Sequence, residues 1–190
     1  MKVKEILETS LVLLGKHELL ETSVFDENIV EELTEAQEKE IGFLVRCFNL
    51  IYKEVSADYL PLMYDEQIEF TQDKFELSNL TQSILDVFKL YDDNENNIAY
   101  KLFPSYIKAN VEKANITYSF IPEDLSLEDE VMLFGGKILP QVLSYGIARE
   151  YCLITGDHKE ADIWEKRYKD GIFAEMRKKS QIKIKSRRWC

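Results

Sequence analysis

Read for the spacing of its apolar positions, the chain changes period twice. Residues 2–14 place Val3, Ile6, Leu7, Leu11 and Leu14 three and four apart, with Gly15 placed to end a short amphipathic helix in a left-handed cap. Asp26 then stands as a helix cap with Glu27 in the first turn. The stripe Ile29, Leu33, Gln37, Ile41, Leu44, Phe48, Ile51 and Val55 predicts a helix of about eight turns that Pro61 must stop. Its first half carries Glu31, Glu32, Glu35, Glu38 and Glu40, and its second half, Gly42 to Tyr52, is apolar nearly all round. That half is expected to be buried on more than one side.

From Gln67 to Ile121 the period becomes two. Short strands are predicted at Ile68–Phe70, Phe75–Leu77, Ile84–Tyr91, Asn97–Phe103, Tyr106–Asn110 and Asn115–Ile121. Helical spacing returns after Ser126, a cap with Asp129 three residues on, and Gly135-Gly136 interrupts it. The helix opening at Ile138 (Leu139, Val142, Leu143, Tyr145, Gly146, Ala148, Cys152) has little polar surface and is expected at the centre of the core, with Pro140 in its first turn and Gly156 at its end. Asp157 and Glu160 open the next, whose core face is Ala161, Trp164, Tyr168, Ile172 and Phe173. The last ten residues alternate Ile182, Lys183, Ile184, Lys185 before Arg187-Arg188-Trp189, the period of a strand added to a partner.

This pattern gives an α+β fold: mainly a helical bundle (1–61 and 127–180) with an inserted antiparallel β meander or small sandwich (67–121), in a single domain 1–180, followed by an extended C-terminal arm 181–190. With 190 residues, 45% hydrophobic and 12% aromatic, the chain can bury a core and lies outside the composition of disorder. The net charge of -11 is uneven. Residues 166–190 hold ten Lys or Arg against Asp170 and Glu175, so this end is +8 and the rest is -19. A body so acidic repels a phosphate backbone within a Debye length, about 8 to 10 Å. The basic end is either a solvated face or a site for phosphate, anionic lipid or an acidic protein groove.

Candidate chemistry is sparse. His17 and His158 have no His or Cys at ligand spacing, and Cys47, Cys152 and Cys190 form no paired motif. An odd, unpaired set of thiols points to a reducing compartment, and the longest apolar run near the start, Leu11–Leu14, is too short for a signal peptide or span. Asp92, Asn94 and Asn96 follow the first positions of a calcium loop, but Asn97 stands where Gly is required and Phe103 where the bidentate Glu belongs. Gly135-Gly136-Lys137 lacks the spacing of a phosphate loop. Trp189 among arginines is a weak single-strand signature. No cofactor, metal or catalytic residue is assigned, and a non-enzymatic role is expected.

In its order of parts the chain resembles the head-to-tail connector proteins of tailed bacteriophages and is similar to the tail tubular adaptors of short-tailed phages. The likeness lies in a helical part ending near Phe48-Asn49-Leu50, a strand-rich insertion closing on Ile116-Thr117-Tyr118-Ser119-Phe120-Ile121-Pro122, and the pairing of Tyr145-Gly146-Ile147-Ala148-Arg149-Glu150-Tyr151 with Gly156-Asp157-His158-Lys159-Glu160-Ala161. The resemblance implies a virion structural protein, made in the host cytoplasm, that forms a ring of about a dozen copies beneath the portal. Portal and tail or nozzle proteins are the partners it implies, with genome DNA passing through the channel and neither membrane nor sequence-specific nucleic acid bound. It also implies a portal-docking arm with Ile182, Ile184 and Trp189 as anchors and Arg187 and Arg188 as charged contacts. The alternative is an intracellular bacterial interaction module whose basic tail binds one acidic partner.

Overall fold

The computed structural model describes residues 1–26, 28–30, 32–132 and 139–177, and their fold is α+β. They divide into two compact units: Met1–Ile51 with the chain from Leu125 onward, and Tyr52–Asp124.

The first unit is built on helices. In α1 (Val3–Leu13), Val3, Ile6, Leu7 and Leu11 are fully buried. Gly15 (φ 69°) then lets the Lys16 N–H return to the Leu11 carbonyl at 2.9 Å. The one-turn α2 (His17–Leu20) follows.

The next helix begins later than the stripe predicts. Asp26 turns on itself, accepting the Asn28 N–H at 2.9 Å, and α3 runs Glu35–Glu54. Thr34 and Gln37 form its cap: the Thr34 N–H reaches the Gln37 side-chain oxygen at 2.9 Å, and the Gln37 N–H reaches the Thr34 hydroxyl at 3.3 Å. A reciprocal cap satisfies two orphan donors, whereas Asp26 closes only its own turn. Past that start the expected stripe holds, with Ile41, Leu44, Phe48, Ile51 and Val55 buried. The helical run ends in a π-helical turn, Val55–Tyr59, whose carbonyl at Val55 accepts the Leu60 N–H at 2.8 Å, one residue before Pro61.

The helix expected after Ser126 is absent from the described residues there, although its cap forms. The Ser126 N–H and hydroxyl both reach the Asp129 carboxylate at 2.7 Å. The carbonyls a helix would need are taken elsewhere: Leu127 O accepts the Lys4 N–H (3.0 Å), Asp129 O the Val3 N–H (3.1 Å), and the Val131 N–H bonds Met1 O (2.9 Å). The segment thus serves as the N-terminal cap of α1.

Helix α4 (Pro140–Thr155) has Pro at its first position, Gly156 (φ 86°) at its end, and buried residues on every side. The α5 helix (His158–Arg177) starts on Asp157, which accepts the Glu160 N–H at 3.2 Å. Gly146 is a point of close approach, since a Cβ there would lie 2.8 Å from Ile51 Cγ2 and 3.0 Å from Tyr168 Cε2. Gly171 meets Val142 in the same way at 2.8 Å. Among the polar ties that join the helices, two involve charged groups. Tyr151 donates to Glu40, which also holds Lys16 Nζ at 2.7 Å, and that ammonium lies over the Tyr151 ring at 5.0 Å. The second is Arg149, almost buried, bonded to Glu165 (2.9 Å) and Glu150 (2.6 Å) and stacked 4.9 Å from the Tyr168 ring centre.

The second unit holds two three-stranded antiparallel sheets. The first is ordered β1 (Leu62–Glu69), β6 (Lys113–Phe120), β3 (Ile84–Tyr91). The second is ordered β2 (Lys74–Glu76), β5 (Tyr106–Lys108), β4 (Lys101–Leu102). In β1 and β6 the even positions face the core, but β3 departs from period two. Its inward residues are Ile84, Val87 and Leu90, because one bulge falls between Ile84 and Asp86 and another between Val87 and Lys89, leaving Leu85 and Phe88 exposed. The first bulge is held by Ser119, whose hydroxyl accepts the Asp86 N–H at 3.2 Å, and by Asp86, whose carboxylate accepts the Val87 N–H at 2.8 Å. On the inner face Glu66 accepts the Tyr118 hydroxyl (2.6 Å) and the Thr81 hydroxyl and N–H (2.7 and 3.1 Å). Burial opposes its charge, but these bonds prevail and lower its pKa.

Gly146→Leu is expected to destabilise the protein by about 1 to 3 kcal/mol in a denaturant titration, because its side chain must displace Ile51 and Tyr168. The hairpin turn between β1 and β2 gives the opposite expectation. Gln72 (φ 54°) and Asp73 (φ 62°) both occupy the left-handed region in a two-residue turn. Replacing them by Asn-Gly should raise stability by about 0.5 to 1 kcal/mol, read as a higher denaturation midpoint.

Candidate protein-docking end of the helical unit

The residues that would carry chemistry are occupied with structure. Cys47 is fully buried, and burial, then the Glu150 charge, push its thiol up to about 12. Cys152 is buried as well, and burial followed by Glu160 and Asp157 raises it to about 11. Neither is a nucleophile near neutrality. His17 and His158 lie on the surface, and among the described residues no group of three His, Cys, Asp or Glu is placed to hold a metal. The calcium-like loop is a turn. Asp92 accepts the N–H groups of Asn94 (2.9 Å) and Asn96 (2.8 Å) and the Asn96 amide (3.0 Å), so its carboxylate is spent on its own backbone. Gly135-Gly136-Lys137 lies outside the described residues.

The α4–α5 hairpin offers a surface of another kind. Gly146 opposes Tyr168 and Val142 opposes Gly171, so the two helices are antiparallel and the start of α4 shares an end with the close of α5. At this end Leu139, Phe173 and Met176 are exposed, by 55%, 50% and 38%. Phe173 corrects the expected core face of α5. Ala161, Tyr168 and Ile172 are buried, and Trp164 is half-buried, stacked on Tyr145 at 5.9 Å and under Arg167 at 5.0 Å, but Phe173 has turned away from the core. Its successor positions by helical spacing would be legible only with the crossing point at Gly146 and Gly171 known.

From that same end the chain continues into residues 178–190, which carry six Lys or Arg and no acid. The arm residues Ile182, Ile184, Arg187, Arg188 and Trp189 lie outside the described residues. What the described part contributes is their point of departure, an exposed apolar helix end. Lys166, Arg167 and Lys169 on the outer side of α5 add positive charge leading to it. An exposed apolar helix end continued by a sequence rich in cations combines burial, which supplies affinity, with charge, which supplies orientation.

No protein-family model matches the chain, and no curated protein matches it. Among the described residues no helix is long and apolar enough to cross a membrane.

The raised thiols set a pH dependence. Both exceed their ordinary value of 9.0 in the folded state, so the folded protein retains protons that the unfolded chain releases. Stability contributed this way is complete below pH 9.0 and falls as pH rises from there toward about 11 and then about 12. Cys47→Ala and Cys152→Ala together should flatten the alkaline arm of a stability-against-pH curve, and in the native protein at neutral pH peptide mapping should find both thiols unalkylated.

Proposed function

We propose that this protein is a structural component of a tailed-phage virion, an adaptor that docks beneath the portal as a ring and joins it to the tail. The observation that carries the reading is the exposed apolar end of the α4–α5 hairpin, Leu139, Phe173 and Met176, continued by a purely basic segment with Ile182, Ile184 and Trp189. Added to a partner as a strand, the segment would present Ile182 and Ile184 to pockets on one face and Lys183, Lys185 and Arg187 to carboxylates on the other. The insertion of a β unit into a helical one, with chain ends on the helical side, agrees with the segment order by which the sequence resembles connectors. The acidic body suits a channel wall, because like charge keeps DNA from adhering as it passes. No step of this role needs a catalytic group.

Electron microscopy and co-sedimentation with the portal protein of the same phage test the reading. Removing residues 178–190, or replacing Phe173 and Met176 by Asp, is expected to abolish portal binding while the circular dichroism spectrum and unfolding midpoint stay within error. Undiminished binding by both variants would reject the docking end. Failure of the intact protein to bind, together with capture of one acidic bacterial protein through residues 178–190, would favour the interaction-module alternative.

A further inference from the structure

The register of the small sheet sets three lysines side by side. Lys74 on β2 stands opposite Lys108 on β5, and Lys101 on β4 stands opposite the same Lys108. Neighbouring strands lie about 4.8 Å apart, so three lysine side chains leave the sheet on one face at backbone steps of about 5 Å. All three are exposed. The opposite face carries Phe75, Ile107 and Leu102, with Ile107 fully buried, which makes the lysine face the outward one.

Such a row is unfavourable in an isolated molecule. Like charges directly opposite on paired strands destabilise the pair. The unit could have avoided it, for residues 52–124 hold only six lysines against fourteen acids, yet half of those lysines fall in this one row. Among the described residues none of the three is in an ion pair. Lys74 lies 5.1 Å from the Tyr106 ring centre, and Tyr106 stacks on Phe103 at 4.5 Å and 14°. The cations therefore adjoin a flat aromatic pair, with Asp73 just before Lys74 in the chain and Glu76 two residues after it.

The occupant must be rich in carboxylates. Polyanionic DNA fits poorly, since the surrounding unit is acidic and so is the whole chain. Residues 26–40 of the chain are the complement: they contain seven acids and one cation, Lys39, with Asp26 engaged by Asn28, Glu35 by Lys39, and Glu40 by Lys16 and Tyr151. Glu32, Glu35 and Glu38 are exposed at three-residue intervals, the latter two in the first turn of α3. Glu35 and Glu38, three apart within α3, are about 5 to 6 Å apart, close to the step of the lysine row, and Glu32 lies three residues before the helix starts.

We propose that the row Lys74–Lys108–Lys101 of one copy docks on the acidic stretch 26–40 of a second copy. The two surfaces differ, so the contact is head-to-tail, the kind that repeats from copy to copy and generates rings when the rotation closes. It names the subunit contact that the ring reading above needs, and it rests on that reading for closure into a ring. The contact itself is tested without any portal.

Analytical ultracentrifugation of the full chain at low salt should show a mass that rises with concentration and falls back as salt is added. The triple variant Lys74→Glu, Lys101→Glu, Lys108→Glu is expected to associate at least about tenfold more weakly, as is the triple variant Glu32→Lys, Glu35→Lys, Glu38→Lys. An equimolar mixture of the two should recover association, because each restores the other's complement. Carbodiimide cross-linking of mixed light and heavy isotope samples should join these lysines to residues 26–40 between copies. A wild-type protein that stays monomeric at all concentrations overturns the proposal. So does association that the charge reversals leave unchanged, or binding of a labelled DNA duplex that depends on the three lysines. Portal binding without this self-association would leave the docking end standing and remove the contact. Self-association through the row without portal binding would do the reverse.

Discussion

Everything in the helical unit depends on covering α4. A helix with Val142, Leu143, Ser144, Gly146, Ile147, Ala148, Arg149, Tyr151 and Cys152 all buried has its middle covered on every side, so neighbouring helices must close on it. The glycines set how near they come. At Gly146 the absent side chain makes room for Ile51 of α3 and Tyr168 of α5 together, and at Gly171 it makes room for Val142. Burial on this scale, at roughly 25 cal/mol per Å² of apolar surface, outweighs the few polar ties. Those ties then select the arrangement: the Ser144 hydroxyl reaches the Ile6 carbonyl at 3.1 Å, Tyr151 engages Glu40, and Arg149 bridges to Glu165.

Covering α4 also decides what is left outside. Once Tyr168 and Ile172 face inward, Phe173 lies about 100° further round the helix and cannot, and it joins Leu139 and Met176 at the open end of the hairpin. The basic segment issues from that end. Core formation and the proposed docking surface are thus two outcomes of one helix rotation.

The inserted unit solves a different problem, the exposed edge of a short sheet. β3 is an edge strand, and its two bulges turn Leu85 and Phe88 outward while Ser119 and Asp86 satisfy the displaced N–H groups. The Tyr100 hydroxyl, donating to the Val87 carbonyl at 3.4 Å, and the Ile98 N–H on Leu90 O at 2.8 Å occupy part of the free edge. In the small sheet no such device separates the three lysines, and their alignment remains as a charged row.

By itself the sequence determined the local elements wherever one residue or one period decides the matter. Gly15 and Gly156 end helices because only glycine adopts their left-handed backbone without strain, and Pro140 and Pro61 mark a start and a stop because proline lacks the donor a helix interior needs. The apolar stripes of α1, α4 and most of α3, and the existence of strands from residue 67 onward, were legible for the same reason, whereas the first half of β1, Leu62 to Glu66, was not. Read by its stripe, the sequence starts α3 at Asp26 and misses the local Thr34–Gln37 cap that begins it, whereas only the tertiary structure decided that the cap at Ser126 leads to no helix, since its carbonyls are claimed by Val3 and Lys4 from the far end of the chain. It also decided the bulged register of β3, the outward turn of Phe173 and the meeting of Lys74, Lys108 and Lys101. Each depends on a partner distant in sequence, and spacing along the chain carries no record of which strand lies beside which or where two helices cross.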